Sequence, residues 1–285
     1  MPREIPDFII IGAMKCGTTT LYQHLASHPG VFMSTMKEPN FFVERRNWSR
    51  GFDWYRSLFA DAEPGALLGE ATTNYTKSAN FPGVPRLIHQ HAPNAKLIYL
   101  LRDPVERIRS HYAHTVVRGR SVRPPAEAIR TRSIYVRTSL YGRELLNYRR
   151  HFPADQILVL LTEDLRDDPA GVLARTAEFL GLDPYDNPDA DRHYHVTPSH
   201  RTTNRLGVAV DRRPRLSEWS ERRLPERLRE RLLTRPAPAS FGGEPIPGEV
   251  IDRVSRVLAA DRRLLLRLVD LDLRKWAPLH APAAS

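Results

Sequence analysis

Apolar residues in this chain of 285 residues fall into short continuous runs that alternate with segments of helical spacing. Phe8 to Ile11, Ala66 to Thr72, Ala95 to Leu101 and Gln156 to Thr162 read as core strands built on β-branched, aromatic or leucine-rich runs, and Val31-Phe32-Met33 is a shorter strand-like piece. The stretches between them predict helices: from the loop after Ile11 to about Ser27, where His28-Pro29-Gly30 stops it; Trp48 to Ala60; Pro85 to His91; one opened by Pro104 behind an Asp103 cap; Ala126 to Arg132; one led by Ser139-Leu140-Tyr141 and running to His151; and Pro169 to Leu182. Regular strand–helix alternation of this kind predicts a three-layer α/β/α fold around a mostly parallel, doubly wound sheet. Past Asp183 the pattern changes. Asp183 to Arg205 reads as a loop, and arginine-rich helices are expected over Leu216 to Leu233 and Gly248 to Val269, with a Pro/Gly-rich loop between. Leu264, Leu265, Leu268, Leu271 and Trp276 can dock one face of the last helix. The expectation is a single domain over 1–285, an α/β core at about 6–205 and a helical C-terminal extension at about 206–285.

The first strand runs straight into Gly12-Ala13-Met14-Lys15-Cys16-Gly17-Thr18-Thr19-Thr20, the grammar of strand, phosphate loop and helix. Glycines let consecutive N–H groups turn inward, the helix start adds partial positive charge, and a lysine supplies a full one. A nucleotide kinase of the Walker type has its lysine directly after the second glycine. Here Thr18 holds that place and Lys15 sits inside the loop. That shift suits one cation at a 5′-phosphate or at the bridging oxygen of a leaving group. A tight turn with no ligand would explain the glycines but not Lys15 and three threonines.

Two further segments carry candidate chemistry. Arg102 follows the strand Ala95 to Leu101, at the carboxyl edge where open α/β sheets bind ligands, and Ser110, two turns into the next helix, can return to the same side. An arginine fork and a hydroxyl make a receptor for a second phosphate, although Arg-Asp-Pro is also a common capping arrangement. Glu38, in Lys37-Glu38-Pro39-Asn40-Phe41-Phe42, is an acid pinned by proline and beside two aromatics. Desolvated by Phe41 and Phe42, it would serve as a general base; the alternative is a surface turn whose aromatics fill the core.

Composition narrows the rest. Net charge is +10, which fits an anionic ligand or nucleic acid, but the basic residues are mostly arginines interleaved with acids. Lysine occurs only at Lys15, Lys37, Lys77, Lys96 and Lys275. Cys16 is the sole cysteine, so an intrachain disulfide is excluded; its place in a tight loop reads as packing rather than nucleophilic chemistry. His193, His195, His200 and Asp191 match no metal-ligand spacing, so no metal is expected, and Arg201 belongs to what looks like a basic flap. The absence of any apolar span points to a soluble cytoplasmic protein with no membrane partner.

Taken together, Gly12 to Thr20 and Leu97 to Tyr112 resemble the paired nucleotide motifs of sulfotransferases that use 3′-phosphoadenosine 5′-phosphosulfate (PAPS). Within that family the chain is most similar to the heparan-sulfate type and its bacterial relatives, through Glu38 to Phe42, the strand end Glu70 to Tyr75, Ser139-Leu140-Tyr141, and the close at Leu273 to Trp276. The resemblance implies a P-loop-like fold. It implies that Lys15, Cys16, Gly17, Thr18 and Thr19 hold the 5′-phosphosulfate, that Arg102 and Ser110 hold the 3′-phosphate, and that Arg201 is a further nucleotide contact, in a loose stand-in for the family's nucleotide loop. Glu38 would be the base on an acceptor hydroxyl and Lys15 would neutralise the leaving phosphate. The product nucleotide would be adenosine 3′,5′-bisphosphate (PAP), with no metal and no nucleic-acid partner. The chain departs from the animal enzymes in having Ala71 after the strand-end glutamate, where some relatives place a lysine, and in lacking their Lys-Gly-Arg nucleotide loop. The acceptor implied is therefore a small metabolite or a glycan. A P-loop kinase and a non-catalytic nucleic-acid binder remain the rival readings.

Overall fold

A computed structural model describes residues 6–117, 123–183, 185, 201–204, 206, 210, 216, 223, 228, 232–236 and 246–279, with only the backbone at 201–203 and 234–236. Its centre is a five-stranded sheet of β1 (Phe8–Gly12), β2 (Val31–Met33), β3 (Leu67–Ala71), β4 (Lys96–Leu101) and β5 (Ile157–Leu161), in the order β2-β3-β1-β4-β5. Every pairing is parallel, so all five carboxyl ends reach one edge. The continuous apolar runs follow from this: β1 is buried throughout and β4 from Leu97 to Leu101, as strands covered on both faces must be. The helices are α1 (Thr18–Ala26), α2 (Gly51–Ser57), α3 (Val84–His91), α4 (Pro104–Val117), α5 (Pro125–Ala128), α6 (Ile134–Arg137), α7 (Tyr141–Arg149), α8 (Thr162–Asp167), α9 (Pro169–Leu180) and α10 (Gly248–Leu268). The fold is the expected P-loop-like α/β architecture with a C-terminal helix.

The chain passes from β1 to β2 and β3 on one side, then crosses back to place β4 on the other. The switch point therefore lies between β1 and β4, where the loop after β1 and the residues after β4 border a crevice. Asp103 caps α4 as its sequence suggests, one carboxylate oxygen accepting from the N–H groups of Val105 and Glu106 at 2.9 Å each.

Three segments differ from expectation. The helix expected over Trp48 to Ala60 is a 3-10 turn, Trp48–Arg50, followed by the two turns of α2; Gly51 at φ 77° separates them. Of the helix expected over Ala126 to Arg132 only the single turn α5 forms, opened by Pro125 and ended at Ala128; the next turn, α6, starts at Ile134, beyond that stretch. Within the expected loop 183–205, Arg201–Thr203 forms β6, paired antiparallel with β7, Thr234–Pro236, which starts directly after the expected helix and takes up the start of the Pro/Gly-rich loop. Both are too short to show period-two patterning. Apart from residues 216, 223, 228, 232 and 233, the stretch Leu216 to Leu233 lies outside the described residues, as do His193, His195, His200 and Asp191.

The C-terminal segment is stitched into the core. Asp261 of α10 accepts from the backbone N–H of Gly142 at 2.8 Å and of Arg143 at 2.9 Å, at the start of α7. Gly142 has no side chain because α10 lies directly on it: an added Cβ would stand 2.6 Å from the Asp261 carbonyl oxygen and 2.7 Å from the Leu265 nitrogen. Beyond α10, Trp276 is buried against Tyr141 and donates to Glu163 at 3.2 Å. The Ala277 N–H reaches Asp103 at 2.7 Å, so this segment ends beside the residue that caps α4.

Candidate active site

The loop after β1 is shaped at its two glycines and at Lys15. Gly12 has φ 148° and an added Cβ would meet Thr76 Oγ1 at 2.1 Å, so only glycine fits there. Gly17 is left-handed at φ 81° and precedes α1, whose first turn has no side-chain cap, leaving backbone N–H groups of that turn to be met from outside the helix. The Ala13 N–H bonds to Leu100 O at 2.8 Å, and Thr162 Oγ1 lies 2.8 Å from Cys16 O and 2.7 Å from Leu101 O, so β4 and β5 hold the loop from behind. Thr18 and Thr20 are buried; Lys15, Gly17 and Thr19 are partly exposed.

Cys16 faces inward, fully buried and 3.6 Å from the Tyr141 hydroxyl. Burial pushes its thiol up to about 11, so it packs the loop and has no nucleophilic character near neutrality. Beneath it sits Arg107, which the sequence does not single out. Its guanidinium is fully buried and donates to Ser139 Oγ at 2.5 Å, to Met14 O at 3.4 Å and to Tyr135 O. Among the described residues no carboxylate pairs with it. A buried cation without a carboxylate leaves the base of the loop positive, which suits an anion above it. Arg107 also donates to His111 Nδ1 at 3.2 Å, and burial together with this neighbour holds the His111 imidazole well below its usual range, so it is neutral.

On one side of the loop, Arg102 follows β4, partly exposed and 3.7 Å from Glu106. Glu106 and Ser110 share one face of α4 at i,i+4, and Arg102, just ahead of the helix, reaches that face through Glu106. Glu106 also pairs with Arg109 at 2.6 Å. The backbone of β6, which starts at Arg201, lies against α4; the Arg201 side chain is outside the described residues.

Glu38 lies on the other side, in a turn carried over the end of β3. Its N–H donates to Ala71 O at 2.9 Å and its carboxylate accepts from Thr73 Oγ1 at 2.8 Å. The aromatics do not desolvate it. Phe41 and Phe42 are both fully buried and turn into the core, Phe41 stacked on Tyr55 at 4.3 Å between centroids. The expected aromatic shielding of Glu38 is thus replaced by a hydrogen-bonded, partly exposed carboxylate. Behind it, at the end of β3, Glu70 is fully buried, accepts from Tyr55 at 2.7 Å, Tyr75 at 3.0 Å and Thr72 at 2.8 Å, and is pushed up by that burial to about 7. Burial removes Glu70 from any acceptor, and the depressed pKa of His111 makes its imidazole a very weak base.

Among the described residues the non-glycine positions with left-handed φ are Lys15 at 72°, Glu38 at 58° and Asn40 at 52°. Such conformations cost about 1–3 kcal/mol each and persist where surrounding structure enforces them, commonly at functional sites. Two of these three are the residues singled out from sequence for chemistry. β1 and β3 are hydrogen-bonded neighbours, with Ile10 opposite Ala71, so the turn after β2 that lies over the end of β3 stands beside the loop that leaves β1. No group of three His, Cys, Asp or Glu side chains suited to a metal ion occurs among the described residues.

Comparison with known proteins bears on this arrangement. The family model for the sulfotransferase domain matches residues 5–204. Human heparan sulfate glucosamine 3-O-sulfotransferase 6 is 36% identical over 190 residues, 63% of this chain and 53% of that protein. Human heparan sulfate glucosamine 3-O-sulfotransferase 3B1 is 34% identical over 192 residues, again 63% of this chain and 47% of that protein. The chain thus spans about half the length of these relatives. A sulfotransferase from Alicyclobacillus acidocaldarius has the same fold, with a TM-score of 0.70 at 22% identity over 97% of this chain and 99% of that one. With the family model covering more than half of its length, the chain belongs to the sulfotransferase-domain family.

Proposed function

We propose that the chain is a PAPS-dependent sulfotransferase that moves a sulfuryl group to a hydroxyl of a small metabolite or glycan. The observation that carries this reading is the pair of left-handed turns, at Lys15 after β1 and at Glu38 and Asn40 over the end of the neighbouring β3, with Arg102 on the far side of the loop. One turn presents a cation and helix N–H groups, the other a carboxylate, and the flank an arginine.

The residues fit a nucleotide with two separate phosphate groups. The N–H groups around Cys16, Gly17, Thr18 and Thr19, with the Lys15 ammonium above buried Arg107, suit the 5′-phosphosulfate. Arg102 and Ser110 suit the 3′-phosphate, and Arg201 is a further contact to the nucleotide. Glu38 takes the proton of the acceptor hydroxyl as its oxygen forms the new S–O bond; the bond from sulfur to the bridging phosphate oxygen breaks, and its electron pair stays on that oxygen. Lys15 and the N–H groups stabilise the growing charge there, the task a metal serves in many phosphoryl transfers. The relatives' names concern glucosamine 3-O-sulfation, which makes a glycan hydroxyl the first acceptor to try. Sulfur-labelled PAPS incubated with N-sulfated heparan oligosaccharides, simple phenols and aliphatic alcohols should give labelled product with at least one acceptor, and Lys15→Ala should abolish it. Transfer of phosphate from ATP with magnesium, and none from PAPS, would contradict the reading.

A further inference from the structure

Deepening that reading, we propose that Lys77 is a positioning residue for sulfuryl transfer, tying the phosphate loop to the turn that carries Glu38 through Asn74 and Asn40. Lys77 belongs to neither motif. It follows the 3-10 turn Thr73–Thr76 after β3, and that turn returns its ammonium to the loop, 3.2 Å from Met14 Sδ. The same nitrogen donates to Asn74 Oδ1 at 2.8 Å. Asn74 Nδ2 donates to Asn40 Oδ1 at 2.7 Å, and Asn40 Nδ2 donates to Glu38 O at 2.6 Å.

The direction of this relay is fixed by the lysine. An ammonium only donates, so it holds the Asn74 carbonyl toward itself and the Asn74 amide toward Asn40. Asn40 must then accept with its carbonyl, which leaves its own amide for the Glu38 carbonyl. A neutral side chain at position 77 would release both amides to rotate. The relay also reaches the two left-handed residues of that turn, Glu38 and Asn40, whose conformations need outside support. A thioether is a weak acceptor, so the sulfur of Met14 alone does not account for a lysine here. Lys77, Lys15 and Arg107 all act on His111 electrostatically, so Lys77 joins the cations gathered around this loop. Where some relatives carry a lysine directly after the strand-end glutamate, this chain has Ala71 and brings a lysine in from six residues further along.

The test uses Lys77→Met, Lys77→Arg and Asn74→Asp. Asn74→Asp keeps an acceptor for Lys77 and removes the donor to Asn40, breaking the relay without touching the loop. Turnover is read as PAP release from PAPS, with N-sulfated heparan oligosaccharide and, in parallel, water as acceptor; PAP affinity is read by calorimetry. Lys77→Met and Asn74→Asp should each lower kcat by about 30-fold or more, the scale expected for small misplacement of a reacting group. PAP affinity should stay within about threefold, because the nucleotide contacts lie elsewhere. Lys77→Arg, which preserves charge and donor, should restore most of kcat. Wild-type kcat in Asn74→Asp would overturn the relay, and this variant decides the matter if Lys77→Met does not fold. Weakened PAP binding with unchanged kcat in Lys77→Met would make Lys77 a nucleotide ligand and also overturn it. Failure of the wild-type protein to bind PAP would overturn the sulfotransferase reading itself.

Discussion

Replacing Glu70 with glutamine should make the protein more stable at alkaline pH and less stable at acid pH. Glu70 lies wholly inside the protein, with three hydroxyl donors around it, and its pKa is raised from 4.5 to about 7. The sign follows from proton binding. Below pH 4.5 the carboxyl is protonated in both folded and unfolded chains and costs nothing. Between 4.5 and 7 the unfolded chain has released its proton while the fold keeps it, so stability falls as pH rises; above 7 the full loss is in place. That loss is about 3 kcal/mol, at 1.36 kcal/mol per pKa unit. Glutamine fits the site. Tyr55 and Tyr75 both donate to one carboxylate oxygen, at 2.7 Å and 3.0 Å, and an amide carbonyl can replace it. The amide nitrogen would face Thr72 Oγ1, whose proton then loses its acceptor at a cost of about 1 kcal/mol. The variant should therefore gain about 2 kcal/mol at pH 8 and lose about 1 kcal/mol at pH 4.5. With about 2 °C of Tm per kcal/mol for a chain of this size, that is about 4 °C up and about 2 °C down. The assay is thermal unfolding of both proteins by circular dichroism from pH 4.5 to 8 at constant ionic strength. The difference between them is the quantity to follow, because burial also raises Glu144 and Asp261 and tilts the parent's own profile. Two profiles running parallel across this range, or a variant that loses ground toward pH 8, would refute the argument.

Other consequences can be checked on the same protein. Glu38→Gln should lower kcat by about 10²–10⁴-fold, the range for loss of a general base, with PAP affinity retained; an unchanged rate would move the base elsewhere. Gly142→Ala drives a methyl into the Asp261 and Leu265 backbone of α10 and should cost about 1–3 kcal/mol, lowering the urea midpoint without altering the slope; a silent substitution would mean that α10 is not seated as described. Cys16, buried with its thiol raised to about 11, should resist iodoacetamide at pH 8 and react once the protein is unfolded, whereas rapid labelling of the native protein would contradict its inward placement.

The parts of the fold visible in sequence are those fixed by local physics. Ile9-Ile10-Ile11 and Leu97 to Leu101 are apolar without alternation because both faces of a parallel sheet are covered, and Asp103-Pro104 marks a helix start because cap and fixed φ act within a few residues. Lys15, Glu38 and Arg102 were legible as candidates because each lies at the end of, or just beyond, a recognisable strand or strand-like run. What stayed hidden depends on long-range packing. Which carboxyl is buried could not be read from Glu38 and Glu70, since the inward turn of Phe41 and Phe42 and the enclosure of Glu70 by Tyr55 and Tyr75 are tertiary events. Arg107 looks like one more helical arginine until α6 and Ser139 close over it. Lys77 reaches the loop only because a 3-10 turn follows β3, and the Asp261–Gly142 contact joins residues 119 apart in sequence. The β6–β7 pair carries arginine, threonine and proline in three-residue strands, too little pattern for period-two reading.

The central claim is that the loop after β1 and the arginine after β4 receive a nucleotide with a 3′-phosphate. Isothermal titration of PAP against ADP, without magnesium, on the wild-type protein and on Arg102→Ala tests it most directly. Micromolar or tighter binding of PAP, at least about tenfold weaker ADP binding, and loss of that preference in Arg102→Ala are the predicted results, since a charged hydrogen bond to phosphate contributes about 1.5–3 kcal/mol. Equal affinity for ADP, or ADP binding that appears only with magnesium, would contradict the account.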